Sequence, residues 1–368
     1  MSMIIGIDAS RANTIHRTGV EEYVFQIVQE IKHIPHQHHS FVLYTREPLI
    51  PSLAQKMPDH ITVKVLAWPP KRLWTQIRLS WEMLMNPPDI LFVPGHVFPI
   101  IHPKKTVMTV HDVAAQVFPE SYNLFERWYS TWSAKVAVKK LWKVIVPSEF
   151  TKHEIGKHRA DSDNISVISL AYDTTYRFIE DKHAIDPVLK KYAMQKPFVL
   201  SVGRLETKKN TVRIVQAFNL LKADKNASYT NLQLVLVGGR GHGYDVVMEV
   251  VEKSPYKDDI ILPGFVDEED LPYIMNAAEV FVFPSLDEGF GIPILEAFAC
   301  GTPVATSHTT SCVEVAGDAA VLVDPLSVES IAAGIERAHA GTHVAAGLER
   351  ARQYSWADTA KKTLHVII

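Results

Sequence analysis

Apolar runs of strand length alternate with helical periodicity along this chain, and few folds satisfy that alternation. In the first half the runs are Met3–Ala9, Ser40–Thr45, Ile61–Ala67, Ile90–Val93, Thr106–Val110, Val144–Pro147 and Ile165–Leu170. In the second they are Phe198–Val202, Leu232–Val237, Ile260–Leu262, Val280–Phe283, Pro303–Ala305 and Ala320–Val323. The order predicts an α/β protein with two doubly wound parallel sheets, and ligands at the carboxyl ends of the strands. With 368 residues the chain suits two domains. The polar stretch Tyr172 to Pro197 is the candidate linker, which sets domains at 1–175 and 176–354. Residues 355–368 read as a helix capped by Ser355, packed either on the second domain or back on the first.

Composition excludes several classes. No apolar stretch approaches the roughly 18 residues of a membrane span, and the N-terminus enters a strand without the build of a signal peptide. Cys300 and Cys312 have no zinc-spaced partners, so buried thiols in a cytoplasmic protein are expected. The first 178 residues hold 20 Lys+Arg against 16 Asp+Glu, and the rest 18 against 25. That basic excess is too small for a nucleic-acid partner, although it suits an anionic acceptor or membrane surface. Pro70–Leu84, with its tryptophans and basic residues, reads either as a helix docking on anionic headgroups or as a helix covering the first sheet.

The strongest motif is Glu288-Gly-Phe-Gly-Ile-Pro-Ile-Leu-Glu296, where an apolar strand runs through glycines into a helix. Pro293 suits the first helical turn and Gly301 the stop. Free amides at such a helix start form an anion site across Gly289, Phe290, Gly291 and Ile292. Glu296, one turn in, suits ribose hydroxyls, and Glu288 sits at the mouth. A second basic loop, Gly203-Arg-Leu-Glu-Thr-Lys-Lys-Asn210, sends Arg204 and Lys209 toward a diphosphate. His111 stands at the carboxyl end of a strand, where a crevice residue belongs. Gly19 permits close backbone approach as a loop enters a helix. The Gly238–Gly243 loop misses the dinucleotide fingerprint in register and is expected to line the crevice. Asp161-Ser-Asp163 lies in a polar loop and reads as a turn, so no metal is expected.

The glutamate pair around Gly-Phe-Gly-Ile-Pro, with the G-R-x-x-x-x-K-N loop, resembles retaining nucleotide-sugar glycosyltransferases of family 4. The likeness covers nearly the whole chain, although the family often has two glycines where only Gly19 stands. It implies the two-Rossmann-domain GT-B fold with an acceptor-side first domain, a donor-binding second domain and an interdomain cleft. It also implies donor contacts at Gly19, Arg204, Lys209, Val266, Gly289, Phe290, Gly291, Ile292 and Glu296. Val266 would meet the base through its backbone, and the catalytic pair would be His111 and Glu288. No cofactor beyond a GDP- or UDP-sugar substrate is implied. The His111-Asp segment followed by Phe118-Pro-Glu120 is similar to bacterial polysaccharide mannosyltransferases, which points to GDP-mannose and a glycan or lipid-linked acceptor. A nucleotide-sugar epimerase, a phosphorylase or a non-catalytic binding subunit would share the diphosphate logic.

Overall fold

The structure is a computed structural model. It describes the chain except residues 1, 16, 35–37, 70–72, 114–116, 119, 121–132, 134, 135, 138, 158–163 and 225–228, and the side chain of residue 182. The chain divides into two compact units, residues 1–170 with 355–368, and residues 171–354. The division therefore falls five residues before the expected position, and the stretch read as a linker belongs to the second unit. That stretch contains the short helix Asp186–Lys191 rather than open chain.

The first unit is built on seven strands: β1 (Met3–Asp8), β2 (His39–Thr45), β3 (Ile61–Val65), β4 (Ile90–Val93), β5 (Thr106–Thr109), β6 (Lys143–Val146) and β7 (Ile165–Val167). They pair in parallel in the order β3-β2-β1-β4-β5-β6-β7. The second unit has β8 (Phe198–Val202), β9 (Gln233–Val237), β10 (Ile260–Gly264), β11 (Val280–Phe283), β12 (Val304–Ser307) and β13 (Val321–Val323), ordered β10-β9-β8-β11-β12-β13. All of its pairings are parallel too. In both sheets the order reverses beside the first strand of the unit, so the switch points lie at β1/β4 and β8/β11. Helices cover both faces, so central strands such as β4 (Ile-Leu-Phe-Val) and β11 (Val-Phe-Val-Phe) are buried at every position.

The strand ends that differ from expectation have chemical causes. Pro303 cannot donate, so β12 starts at Val304, although the Pro303 carbonyl still accepts from Phe281 N at 2.8 Å. Around Pro263 the β9/β10 register shifts between Ile261 and Gly264, which carries β10 two residues past its expected end. β7 stops at Val167, Ile168 N still donates to Val146 O at 2.9 Å, and Ser169 and Leu170 then leave the ladder while Ile168 and Leu170 stay buried.

The Trp356–Ile367 helix belongs to the first unit. Ser355 caps it by accepting from Asp358 N, and Thr359 Oγ1 donates to Ser169 O at 2.9 Å. Lys143 Nζ reaches Val366 O at 2.6 Å, where a cation meets the negative end of the helix. On the long Gly19–His33 helix, Tyr23, Ile27 and Ile31 are fully buried. Burying side chains of this size typically contributes about 1.5–3 kcal/mol each.

Candidate active site

In the second unit the two loops flanking the switch point are fastened together. After β8, Gly203 takes φ +145, and after β11 the chain runs from Pro284 to Gly291, whose φ of +106 opens the Ile292–Ala299 helix. Leu286 N donates to Lys208 O at 2.9 Å. Asn210 sits in the left-handed region and donates to the carbonyls of Pro284 and Pro325 at 2.9 and 2.6 Å. An asparagine tolerates that backbone and supplies the amide that closes the loops.

On this scaffold the structure joins two of the expected residues. Lys209 Nζ donates to Glu288 Oε1 at 2.5 Å, and the Ser285 hydroxyl reaches the same oxygen at 2.6 Å. The lysine lies 4.8 Å from the Phe283 ring centroid. Burial pushes the Glu288 carboxyl up, but Lys209, Lys208 and the hydrogen bonds from Lys209 and Ser285 outweigh it and hold it below its ordinary value. Ser311 Oγ lies 2.8 and 2.9 Å from the carbonyls of Glu288 and Phe290, which fixes the glycine loop. Cys312 is capped within the neighbouring helix and its thiol is pushed up to about 12, so it is inert.

The other expected residues fall in distinct places. Arg204 extends outward, its side chain 70% exposed and Nε 3.9 Å from Glu206 Oε2. Phe290 is buried against Tyr354, so only its backbone can serve a ligand. Gly291 and Ile292 form the helix start, with Pro293 in the first turn, and Gly301 follows the helix at φ +73. Glu296 is half-buried, and its charge adds to the burial that raises the Tyr176 phenol. Val266 follows Gly264 at the end of β10 and is half-buried.

The Gly238–Gly243 loop has a structural task that its sequence did not disclose. Gly238 N donates to Gly264 O, Leu205 N to Gly239 O, and Thr207 N to His242 O, so it zips onto the Gly203–Asn210 loop. A Cβ at Gly241 would lie 2.5 Å from Glu206 Cβ. Gly238 lets two main chains approach, whereas a Cβ at Gly239, Gly241 or Gly243 would meet the side chains of Phe265, Glu206 and Thr207.

Sequence reasoning also missed Phe265. Its ring packs on Gly239, where a Cβ would lie 2.6 Å from Cε2, yet the residue is 83% exposed. The loop behind it is anchored by Tyr192, whose hydroxyl accepts from Asp267 N at 3.2 Å and donates to Asp270 Oδ2 at 2.9 Å. Lys191 bridges Asp267 and Asp270 at 2.7 and 2.6 Å. The aromatic in Gly-Phe-Val was the available signal, but sequence does not report that a ring stands in solvent.

In the first unit His111 lies two residues beyond β5 and is buried. Its Nε2 is 2.8 Å from Pro94 O, at the end of β4. A carbonyl can only accept, so Nε2 carries the proton and Nδ1 is left as an acceptor. The Tyr23 and His96 rings stand edge-on at 4.7 and 5.2 Å. Burial first, then His96, push the His111 pKa down to about 3, against the Pro94 hydrogen bond and Asp112. His111 is therefore a neutral acceptor at physiological pH.

Because the folded pKa lies below the usual 6.5, this histidine's contribution to stability is fully present above pH 6.5 and is lost as pH falls toward 3. Wild type should lose roughly 2–3 kcal/mol relative to His111→Gln between pH 7 and pH 4, read by urea unfolding at each pH. A constant difference would show that the ring is not held neutral.

Gly19 opens its helix behind Thr18, and no atom of the described residues lies within 4 Å of a Cβ placed there. Packing therefore does not demand glycine at that position. Asp8, at the end of β1, is a second residue sequence reasoning missed. It accepts from Ser10 N and Oγ at 3.1 and 2.6 Å. Among the described residues no cluster of three His, Cys, Asp or Glu side chains could hold a metal. Asp161 and Asp163 lie outside the described residues.

Two parallel, doubly wound units, the second with a glycine loop opening a helix at its β8/β11 switch point, are the architecture of the GT-B class. The crystal structure of Anabaena Alr3699/HepE in complex with UDP and glucose shares this fold. It matches with a TM-score of 0.72 over 99% of this chain and 98% of that one, at 18% identity. Residues 17–176 match the Glycosyltransferase Family 4 model, and residues 185–354 the model of Glycosyl transferases group 1. The O-antigen chain mannosyltransferase B of Escherichia coli is 34% identical over 269 residues, 71% of this chain and 70% of that protein. The serotype-specific mannosyltransferase WbdA, also of Escherichia coli, is 28% identical over 267 residues. That match takes in 70% of this chain and 32% of WbdA, so the likeness spans about a third of the larger protein. This chain belongs to the family 4 glycosyltransferases.

Proposed function

We propose that the protein transfers mannose from GDP-mannose, with retention of configuration, to a hydroxyl of a growing polysaccharide, and that it needs no divalent metal. The observation that carries this is the Lys209–Glu288 pair beside the Gly291–Ile292 helix start: a cation and helix-start amides for a diphosphate, next to an ionised carboxylate for sugar hydroxyls. The mannosyltransferase relatives support the choice of sugar.

In the proposed reaction the bond from the sugar C1 to the diphosphate oxygen breaks as the acceptor oxygen bonds to C1 on the same face. The acceptor proton passes to the departing phosphate oxygen. Lys209, Arg204 and the amides from Gly289 to Ile292 meet the negative charge that grows on the leaving group. Glu288 accepts from sugar hydroxyls and Glu296 from ribose, and His111 of the first unit offers its Nδ1 as an acceptor. Phe265, backed by Gly239, gives the base a flat apolar surface beside the Val266 backbone.

The test is a thermal-shift panel of GDP-mannose, UDP-glucose, GDP and UDP, followed by turnover with an oligomannose acceptor in excess EDTA. GDP-mannose should raise the melting temperature most, and an α-linked product should form in chelator. A larger shift with UDP-glucose would refute the donor, and dependence on added magnesium or manganese would refute metal independence. Isomerised donor without acceptor would indicate an epimerase, and binding without turnover a non-catalytic subunit.

A further inference from the structure

Ser285, two residues past the end of β11, is pinned through three successive peptide groups. Asn210 Nδ2 donates to the Pro284 carbonyl at 2.9 Å, Ser307 Oγ to the Ser285 carbonyl at 2.5 Å, and Leu286 N to the Lys208 carbonyl at 2.9 Å. The residue is fully buried. Other groups thus close the loops around it, and its own hydroxyl is not needed for that task. The hydroxyl has one proton and three acceptors in reach: Lys208 O at 3.1 Å, Asp287 O at 3.3 Å and Glu288 Oε1 at 2.6 Å. A hydrogen bond to an ionised oxygen is shorter and roughly twice as strong as one to a neutral carbonyl. The proton therefore goes to Glu288, while the Lys208 carbonyl keeps its bond from Leu286 N.

Lys209 Nζ donates to the same Oε1 at 2.5 Å, coming from the loop after β8. One carboxylate oxygen thus takes two hydrogen bonds, and among the described residues no hydrogen bond falls on Oε2. The last torsion of a glutamate is broad, so an unrestrained carboxylate would offer either oxygen to a ligand. Here it cannot turn without breaking both bonds. The two donors are unequal restraints. The lysine stem is flexible, and its ammonium has further protons to turn toward a diphosphate. The serine hydroxyl stands on a single rotatable bond above a pinned backbone, and its one proton stays on the carboxylate.

We propose that Ser285 is a positioning residue for sugar transfer: with the Lys209 ammonium it clamps Glu288 through Oε1, and so presents Oε2 alone to a hydroxyl of the transferred sugar. This rests on the reading of Glu288 as the carboxylate that meets the sugar, and extends it to the group that aims that carboxylate. It does not depend on which nucleotide sugar is the substrate.

The experiment compares wild type with Ser285→Ala and with Ser285→Cys, whose thiol fills the site but donates weakly. Calorimetry measures the affinity for the nucleoside diphosphate and for the nucleotide sugar, and steady-state turnover is followed across pH. The diphosphate should bind both variants as it binds wild type, because it carries no sugar for Glu288 to hold. Turnover should fall roughly tenfold to a hundredfold, as expected when a hydrogen bond to a charged group is lost. The acid limb of the turnover profile, where Glu288 takes up a proton, should move to higher pH, since a bond that favours the ionised form is gone. A serine that served the loops alone would weaken diphosphate and nucleotide sugar equally and leave the acid limb in place. That pattern, or undiminished turnover in the variants, would overturn the proposal. Should Ser285→Ala fail to fold, Ser285→Cys decides by the same readings. A wild type that turns over no nucleotide sugar refutes the proposed reaction, whereas an active wild type with equally active variants refutes the role of Ser285 alone.

Discussion

Lys209→Ala should lower turnover by two or more orders of magnitude while the nucleotide sugar still binds. In the proposed reaction the ammonium acts on charge that appears as the sugar–phosphate bond breaks, and loss of one preorganised donor of this kind costs about 3–4 kcal/mol in the barrier. The substitution also removes the strongest opponent of burial at Glu288, since Lys209 donates to Oε1 at 2.5 Å. In wild type the depressed Glu288 pKa contributes stability that is present above the unfolded-state value of about 4.5 and lost as pH falls. In the variant Lys208 and Ser285 alone oppose burial, so the stability that Glu288 adds above the carboxylate range should shrink. Arg204→Ala, at an exposed position, should reduce turnover by a similar factor with no change in stability. Steady-state kinetics and urea unfolding on the two variants check this. A loss below tenfold for Lys209→Ala would take the lysine out of the reaction.

Gly238→Ala should be among the most destabilising substitutions in the second unit. A Cβ there would lie 1.9 Å from Gly203 O and 2.6 Å from Gly203 C, and the backbone has φ +145. No rotamer relieves a clash between two main chains. They would have to part, at the expense of the bonds from Gly203 N to Val237 O and Gly238 N to Gly264 O, both 2.9 Å. Strained backbone alone costs about 1–3 kcal/mol, and with the lost hydrogen bonds the expected loss is on the order of 4 kcal/mol or more. Gly341→Ala provides the comparison. It has φ +72 but no neighbour among the described residues within 4 Å, so only strain of about 1–2 kcal/mol applies. Denaturant unfolding that ranks Gly341→Ala as the more damaging would refute this account.

Most of the thirteen expected strands appear because buried parallel strands are written as unbroken apolar runs, whereas the edge strand β3 (Ile-Thr-Val-Lys-Val) buries only Ile61. Their ends were less legible. Whether Pro303 opens a strand or precedes it depends on which neighbour wants its missing N–H, and Leu170 is apolar for packing rather than pairing. The glutamate motif identified the switch-point loop because glycine, proline and carboxylate each have a distinct local role there. The partnership of Glu288 with Lys209 was not legible, since 79 residues separate them and only the folded sheet brings them together. Phe265 and Gly239 are separated by 26 positions, and the cue in each was the absence or presence of a side chain at a contact sequence does not show. His111 was found by its strand end, but its tautomer depends on the Pro94 carbonyl 17 residues earlier.

The Trp356–Ile367 helix has a consequence for the order of events during synthesis. It belongs with residues 1–170, so the first unit is interrupted in the chain by the whole of the second. Residues 171–354 are contiguous and need no later segment to complete their fold. The earlier-made unit meanwhile waits with Ser169 O, Lys143 and the Tyr23 side without their helical partners. Residues 355–367 complete the first unit, so a released chain cut off before Ser355 would carry a whole second unit joined to an open first one.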